Sequence, residues 1–593
     1  MRKTLVLSSA LFVLAASLPL WSQEQQKKQE PPKAVDFVWG VKIPMRDGVK
    51  LNATVYRPKD QKEALPVIFE LTPYISDTYH ERAYYFAQHG YVFAIVDVRG
   101  RGNSEGYFDP FMQEPQDGHD VVEWLAQQSW SNAKVTMWGG SYAGYDQWLT
   151  LREFPPHLAT IVPVASGHAG VDFPMFKNIW GTYDMQWLTL TSGVTPQNNL
   201  FGESSFWIEK YRELYLNHEP YKDLDKIVGN ESTVFQKWVA HPAFDAYWQK
   251  VDITPEQYKE INIPILTITG DYDDDQPGAM AYYRDHMKYG TEEAKARHYL
   301  IIGPWDHLGT RTPTKEVGGL TFADASLLDM NKLHTDWYDW TMKGGKAPEF
   351  LKKRVAYYVV GAEQWRYADS LNTISNTKEI LYLNSTNGEA NEAFHSGSLT
   401  EEKLGSPKPD QYVYDPLDVR PAELEKEDLK NYVTDERYAL NLFGNGVVYH
   451  SQAFTEDTEI SGFVKLVAWI SMDVPDTDFS VDLYEIMPDG KSIHLTGDAQ
   501  RARYRDSATT EKLVKPGEID RYEFSGFTFF SRRIAKGSRL RLVLRSPNSI
   551  YMEKNYNSGG VVAEETGKDA HTAHITLYHD RDHPSSLELP LVK

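Results

Sequence analysis

The chain has 593 residues, a formal net charge of −21 and no cysteine. Its length predicts two or three domains, and 41% hydrophobic residues are enough to form sizeable cores. The negative charge argues against a nucleic-acid partner, and the lack of cysteine excludes disulfides, thiolate catalysis and Cys-ligated metals.

The first 23 residues have the features of a secretory signal peptide. Arg2 and Lys3 precede an apolar stretch, residues 5–20, and Ser22-Gln23 offers a cleavage site. The stretch is short for a membrane span and contains serines, so we expect cleavage, a periplasmic or secreted protein, and no span after cleavage. The polar residues 24–36 are predicted to form a disordered leader.

Strands and helices alternate along residues 37–170. A hairpin is predicted around Asp47-Gly48, followed by strands at 66–71 and 91–96 and helices at 82–88 and 117–128. This alternation predicts the first part of an α/β core built on a mostly parallel sheet.

A serine lies at the centre of a small-residue turn in this part of the chain. An apolar run leads into Gly139-Gly140-Ser141-Tyr142-Ala143-Gly144, and the residues beyond can continue as a helix. A strand, a sharp turn and a helix would expose the Ser141 hydroxyl above the edge of the sheet, as a nucleophile requires. Ala143 stands where the usual G-x-S-x-G pattern has its last glycine.

Residues 171–257 interrupt the alternation and are dense in aromatic side chains, from Phe173 to Trp248. They fall between the nucleophile turn and the next predicted strand, so we expect a helical cap inserted into the core. Most of the rings are expected to pack the cap onto the core, and a few to line a ligand pocket.

The second part of the core, residues 258–347, supplies a carboxylate and an imidazole in order. A predicted strand at 264–269 is followed by Asp273, and the next strand, 298–302, is followed by His307. Parallel strands present such residues at the same sheet edge, where α/β sheets bind ligands. We therefore predict that His307 takes the proton of Ser141 and that Asp273 orients the imidazole.

From residue 348 to 593 the pattern is β, with alternating runs at 355–360, 462–470 and 539–544 and no long helix. Such a pattern predicts a sandwich or jelly roll.

Several motifs together resemble the superfamily of cocaine esterase, α-amino-acid ester hydrolase and X-Pro dipeptidyl-peptidase. They are the Ser141 turn, Thr72-Pro73-Tyr74, residues 97–106, residues 241–248 and residues 303–307. The resemblance runs from about Phe37 to the C-terminus and is nearest to the α-amino-acid ester hydrolases. It implies an α/β-hydrolase core with an inserted helical cap, followed by a C-terminal all-β jelly-roll-like domain. It also implies the triad of Ser141, Asp273 and His307, with an oxyanion hole formed by the Tyr74 phenol and the Tyr142 backbone N–H.

The same resemblance implies an amine-binding acid cluster after the triad acid. Asp275 matches its first position, and Gln276 stands where the family has a second acid. A third member would come from the cap, with Asp172 and Asp184 as candidates by rough position. The alternative is a solvated or helix-initiating acidic run, which the sequence leaves equally open.

Three functional hypotheses follow. The first is a secreted serine hydrolase that cleaves, or transfers, acyl groups of α-amino-acid esters or amides. The second is the same chemistry on X-Pro dipeptides, neutral esters or β-lactam side chains, and the third is a non-catalytic binding protein that uses the jelly roll. We expect a small-molecule ester or amide as the partner and no cofactor or metal, since metal-type histidine spacing is absent. A homo-oligomer is left open.

Overall fold

The computed structural model describes residues 34–405, 408–427 and 429–593. The predicted signal peptide, residues 1–23, and most of the predicted leader lie outside these ranges. The end of the leader differs from the prediction, because Val35 and Asp36 begin the first strand. They pair with Pro58 and Arg57 of the next strand, so backbone hydrogen bonding extends that hairpin.

The core contains two six-stranded sheets, as far as the described residues define them. The first has, in spatial order, Val35–Pro44, Lys50–Pro58, Val92–Asp97, Leu65–Thr72, Ser131–Met137 and Leu158–Thr160. The second has, in spatial order, Gly139–Gly140, Pro163–Val164, Ile265–Tyr272, His298–Asp306, Val355–Val359 and Gln364–Ala368. The sheets are mostly parallel, with antiparallel pairs at their outer edges. Ser131–Met137 and Gly139–Gly140 are consecutive, so the nucleophile turn lies where the two sheets meet.

Helices cover these sheets because their apolar stripes pack against the buried strands. Those of the core are His80–Gln88, Glu114–Ala126, Tyr142–Leu151, Gln276–Tyr289, Glu292–Lys295 and Met330–Lys343. The last one ends where Gly344 adopts φ 73°, a left-handed conformation that suits glycine. The core also carries a short hairpin, Glu316–Val317 with Leu320–Thr321.

The predicted cap region is helical. Its helices are Tyr183–Leu190, Asn198–Phe201, Ser204–Leu216, Leu224–Val228, Thr233–Val239, Ala246–Gln249 and Pro255–Glu260. A small hairpin, Met175–Phe176 with Ile179–Trp180, precedes them. Buried cap rings such as Trp187, Trp207 and Trp238 join the same hydrophobic cluster as the core, so cap and core share one packed interior.

The C-terminal domain is mostly β. Its strands, joined in one 13-stranded sheet within the described ranges, are Thr377–Asn384, Gly397–Thr400, Asp410–Tyr414, Gly446–Ser451, Thr458–Gly462, Lys465–Met472, Asp478–Ile486, Ser492–Arg501, Asp520–Phe524, Phe530–Ile534, Arg539–Arg545, Ala573–Tyr578 and Ser586–Val592. Two strands that follow the predicted start at 348, Val355–Val359 and Gln364–Ala368, pair with the second core sheet. Alternation along a strand does not reveal which sheet receives it.

The C-terminal domain also contacts the cap and the core directly. Met552 forms a β-bridge with Gly181 of the cap, and Arg532 forms one with Val360 of the core. Among the described helices, none is long and apolar enough to cross a membrane.

Candidate active site

Ser141 occupies a strained turn. Its backbone has φ 61° and ψ −128°, a conformation that ordinary side chains avoid, and it immediately precedes the helix Tyr142–Leu151. The Ser141 N–H donates to the carbonyls of Val164 and Ala165, each at 3.0 Å, which holds the turn against the second sheet. A side chain at Gly144 would lie 2.6 Å from the Val164 oxygen, so glycine is required there. The turn thus presents the serine where the two sheets meet.

Asp273 and His307 form a hydrogen-bonded pair. The Nδ1 atom of His307 lies 2.8 Å from Oδ1 of Asp273. The other Asp273 oxygen accepts from the Thr269 hydroxyl at 2.9 Å, and the Asp275 N–H donates to Oδ1 at 3.1 Å. With Nδ1 held by the acid, Nε2 is the nitrogen left to serve Ser141, and the side chains of Ser141 and His307 line one cavity.

The protonation of His307 reflects two opposing effects. Burial lowers the pKa of the imidazole, but the charge of Asp275 and the hydrogen bond to Asp273 outweigh it, so the pKa is raised above the ordinary value. The imidazolium that would form during catalysis is therefore stabilised by two carboxylates. A histidine oriented and stabilised by carboxylates in this way has the features that a general base requires.

The Tyr74 phenol lies beside Ser141 with its oxygen already engaged. The indole N–H of Trp187 donates to that oxygen at 3.0 Å. Burial raises the pKa of Tyr74, although its interactions with Trp187 and Ser141 act in the opposite direction. The phenol therefore keeps its proton at neutral pH and remains able to donate a hydrogen bond.

Tyr142 is fixed through its side chain. Its hydroxyl donates to Glu114 at 2.6 Å and accepts from the N–H of Phe111 at 2.7 Å. As the first residue of its helix, Tyr142 has a backbone N–H without an acceptor inside the helix. Tyr74 and Tyr142 thus offer an O–H and an N–H donor beside Ser141.

A cavity of about 450 Å³ opens over these residues. Its cap wall is aromatic, with Phe173, Phe176, Tyr183 and Trp187. The C-terminal domain contributes Tyr551 and Met552 to the same wall. A cavity of this size with apolar walls and a few polar groups suits a small organic acyl group.

Asp275 and Asp172, two of the carboxyl groups on the cavity wall, interact electrostatically with each other. Oδ2 of Asp275 is 3.7 Å from Nδ1 of His307. The Asp172 oxygens accept from the N–H groups of His168 at 2.7 Å and Gly278 at 2.6 Å, so the backbone fixes its orientation. Burial raises the pKa of Asp275 to about 7, with the neighbouring acids adding to it. Burial and the charge of Asp275 also raise the pKa of Asp172.

The other two candidate acid-site residues are placed differently. Asp184 lies on the cavity wall, but it accepts from the Tyr221 hydroxyl at 3.2 Å. Burial raises its pKa, and the carboxylate that adds to this rise is Glu553. Gln276 is fully buried and does not line the cavity. Its amide donates to the carbonyls of Gly270 and Phe529, each at 2.9 Å, and accepts from the Phe529 N–H at 2.6 Å. Gln276 therefore links the core to the C-terminal domain.

Three residues that line the cavity were not identified from the sequence: Trp187, Tyr551 and Met552. Trp187 was one of many cap aromatics, and its contact with Tyr74 joins residues 113 positions apart. Tyr551 and Met552 carry no motif, and they reach the cavity through the β-bridge to Gly181. Within the described residues, no group of three or more His, Asp or Glu side chains is arranged to hold a metal ion.

Comparison with known proteins agrees with this architecture. Residues 47–309 match the X-Pro dipeptidyl-peptidase (S15 family), and residues 348–588 match the X-Pro dipeptidyl-peptidase C-terminal non-catalytic domain. Cocaine esterase of Rhodococcus sp. (strain MB1 Bresler) is 26% identical over 590 residues, covering 93% of this chain and 98% of the esterase.

Two solved structures share the fold along the whole chain. An aminopeptidase from the marine sediment archaeon Thaumarchaeota archaeon has a TM-score of 0.80 at 20% identity, covering 98% of this chain and 99% of its own. An α-amino acid ester hydrolase has a TM-score of 0.79 at 21% identity, covering 97% of this chain and 100% of its own.

Fold and family together define a hydrolase of the serine esterase and peptidase class, built on an α/β-hydrolase core with a C-terminal mostly-β domain. The chain belongs to the superfamily of cocaine esterase, α-amino-acid ester hydrolase and X-Pro dipeptidyl-peptidase, as its motifs predicted.

Proposed function

We propose that this protein is a secreted serine hydrolase that cleaves esters or amides of α-amino acids through an acyl-enzyme on Ser141. The observation that carries the substrate class is the interaction of Asp172 with Asp275, two of the four aspartates on the wall of the cavity that Ser141 and His307 also line. No cofactor enters the proposal.

The chemistry follows from the groups around Ser141. Its Oγ attacks the carbonyl carbon of the substrate while Nε2 of His307 takes the proton. The tetrahedral oxyanion accepts hydrogen bonds from the Tyr74 phenol and the Tyr142 N–H. Collapse expels an alcohol or amine, which takes the proton from His307, and leaves the acyl group on Ser141. Water then repeats the attack, or an amine does so and receives the acyl group.

The two acids favour a substrate with a free ammonium group. Burial, with the repulsion between the acids, raises both pKa values, so the free cavity does not stabilise two carboxylates side by side. An ammonium group bound between them would supply that charge and make charge-assisted hydrogen bonds. Because Asp275 stands beside His307, the ammonium would lie near the reacting carbonyl, as it does in an α-amino acyl group.

The test compares matched methyl esters of phenylglycine and of phenylacetic acid, which differ by the α-amino group. Asp275→Asn and Asp172→Asn should each lower kcat/KM for the amino ester by about 10- to 150-fold, the range of one charge-assisted hydrogen bond. Both variants should leave the des-amino ester nearly unchanged. Asp184→Asn, another buried carboxyl of the cavity wall, serves as the control and should change both esters alike.

Equal losses on both esters in the Asp275→Asn variant would contradict amine recognition and leave a general carboxylesterase. Cleavage of Gly-Pro and Ala-Pro p-nitroanilides in preference to both esters would favour the X-Pro dipeptidyl-peptidase alternative, and turnover of amino-β-lactams would favour a side-chain acylase. A non-catalytic binding protein would show no turnover that depends on Ser141.

Export is the other part of the proposal, and residues 1–23 support it through their basic start and apolar stretch. Expression of the full chain in a bacterial host should yield a periplasmic or extracellular protein whose N-terminus begins near Glu24. An unprocessed N-terminus starting at Met1 would contradict export by a cleaved signal.

A further inference from the structure

A buried cluster of charges lies behind the nucleophile turn and takes no part in the chemistry above. Glu70, in the strand Leu65–Thr72, is fully buried. Neither of its oxygens accepts a hydrogen bond of normal geometry, although the Tyr79 hydroxyl is close enough to lower its pKa. Burial nevertheless raises the pKa of Glu70, and the guanidinium groups of Arg82 and Arg311 oppose that rise.

Arg311 reaches this cluster from the turn that follows His307. The turn is tight, since the Arg311 N–H donates to the Leu308 carbonyl at 3.1 Å and the Thr310 hydroxyl donates to the His307 carbonyl at 2.7 Å. The same short segment therefore fixes both the imidazole and the guanidinium.

The Arg311 side chain lies against Gly140, the residue directly before Ser141. A Cβ atom on Gly140 would clash with Nη1 of Arg311 and would lie 2.7 Å from its Cδ. Nη1 is buried and has no hydrogen-bond partner among the described residues. Gly140 is thus required for the guanidinium to approach the turn, where its Nη1 has no direct acceptor.

We propose that Arg311 is a positioning residue of the hydrolytic site, whose fixed positive charge behind Gly140 stabilises the oxyanion formed at Ser141 and favours the neutral, proton-accepting form of His307. The proposal rests on the assigned Ser141–His307 pair. The cluster is net positive whether Glu70 is ionised or not, because two guanidinium groups face one carboxyl. In a water-poor site such a charge acts on its neighbours with little screening.

The titratable and charged groups influenced by Arg311 come from several elements. They are Glu70, Tyr74, Tyr79, Arg82, Asp275 and His307. Burial lowers the pKa of His307, and Asp275 and Asp273 raise it; each of these effects is larger than that of Arg311. The positive charge of Arg311 lowers the pKa of His307 and so opposes the two acids. Removing that charge should therefore raise the pKa of the catalytic base.

The experiment measures the pH dependence of fluorophosphonate labelling and of p-nitrophenyl acetate hydrolysis in the full chain. Arg311→Met should lower kcat/KM by about 10- to 100-fold, mainly in kcat, and shift the acid limb of both profiles upward by about 0.5 to 1 pH unit. Arg311→Lys keeps the charge and should keep the limb near its wild-type position. Arg354→Met is the control, since Arg354 is also half-buried in the core and its Nη1 contacts the Lys295 carbonyl away from the cavity.

Labelling at one fluorophosphonate per chain establishes that a variant is folded and that Ser141 reacts, separately from any shift of the limb. Arg311→Gln replaces Arg311→Met if the latter does not fold. The proposal would be overturned if the acid limb of the pH profiles stayed at its wild-type position in folded Arg311→Met or Arg311→Gln. It would also be overturned if Arg311→Lys shifted that limb as far as Arg311→Met does. Loss of labelling in Ser141→Ala is a different result, because it tests the nucleophile and not the charge.

Discussion

The phenol of Tyr74 has a hydrogen-bonding environment that suits a donor in an oxyanion hole. Its oxygen accepts from Trp187 at 3.0 Å, so its own proton is free to point toward Ser141. Burial keeps the phenol protonated by raising its pKa. A donor fixed before the reaction begins stabilises the oxyanion without having to reorganise.

Tyr74→Phe removes that donor and leaves the ring in place. We expect kcat to fall by about 10²- to 10³-fold with little change in KM, because the phenol acts mainly on charge that develops in the transition state. Steady-state kinetics on p-nitrophenyl acetate would measure it, with Tyr183→Phe, another cavity tyrosine, as the matched control. A Tyr74→Phe enzyme as fast as the control would place the second donor elsewhere.

At the scale of single residues, the sequence predicted those groups that follow strand ends or stand in a turn motif. Asp273 and His307 are 34 positions apart, yet parallel strands bring them within 2.8 Å. Trp187 was not assigned a role because only the packing of the cap brings it to Tyr74. The direction of the Gln276 side chain was also beyond the sequence, since a helix start gives the position of a residue but not the acceptor that its amide finds.

At the scale of elements, two buried histidines join the helix Gln276–Tyr289 to the strand His298–Asp306. The Nδ1 atoms of His286 and His298 are 2.8 Å apart, and Nε2 of His298 is 2.8 Å from the Thr267 hydroxyl. Burial lowers the pKa of His286 to about 4, helped by the charge of Lys295, and lowers that of His298 further. Both rings are therefore neutral in the folded protein at neutral pH.

The buried histidine pair predicts that the stability of the folded protein falls in acid. In the unfolded chain these rings become protonated below about pH 6.5, whereas in the folded chain they stay neutral to a lower pH. The free energy of unfolding therefore falls as the pH drops from about 6.5 toward 4. His286 alone should account for about 3 kcal/mol at the lower end. Urea unfolding at pH 7 and pH 4 measures it, and His286→Leu should lose less stability on acidification than the wild type. Equal losses in both proteins would contradict the prediction.

The order of strands and helices was predictable, whereas some boundaries were not. The runs at 66–71, 264–269 and 298–302 correspond to strands of the structure because short apolar runs in an alternating α/β chain form buried parallel strands. Residues 355–368 alternate as the strands of the C-terminal domain do, and they pair with the second core sheet. The neighbour of a strand is a property of the tertiary fold, which alternation does not contain.

At the scale of the whole molecule, Gln276 connects the hydrolase core to the C-terminal domain by hydrogen bonds. Its three hydrogen bonds satisfy buried main-chain groups of Gly270 and Phe529. Gln276→Leu would leave those groups buried without partners, at a cost of about 1–3 kcal/mol for each. We expect a clear drop in thermal stability by calorimetry, whereas Gln249→Leu, at an exposed site, should cause little change. A Gln276→Leu protein as stable as the wild type would show that other contacts carry the interface.

The division into core, cap and C-terminal domain followed from composition and periodicity, but their meeting point did not. The cavity draws walls from all three parts, with Ser141 from the core, Trp187 from the cap and Met552 from the C-terminal domain. The segment that carries Met552 is hydrogen-bonded to the cap. For example, the Glu553 N–H donates to the Trp180 carbonyl at 2.8 Å. No local sequence signal encodes such a long-range pairing.

The most direct test of the whole account is intact-mass measurement after treatment with a fluorophosphonate. The wild-type protein should gain the mass of one phosphonyl group, and peptide mapping should place it on Ser141. Ser141→Ala should gain no mass and should lose esterase activity by several orders of magnitude. Undiminished labelling or turnover in Ser141→Ala would contradict the assignment of the nucleophile, and with it the proposed site.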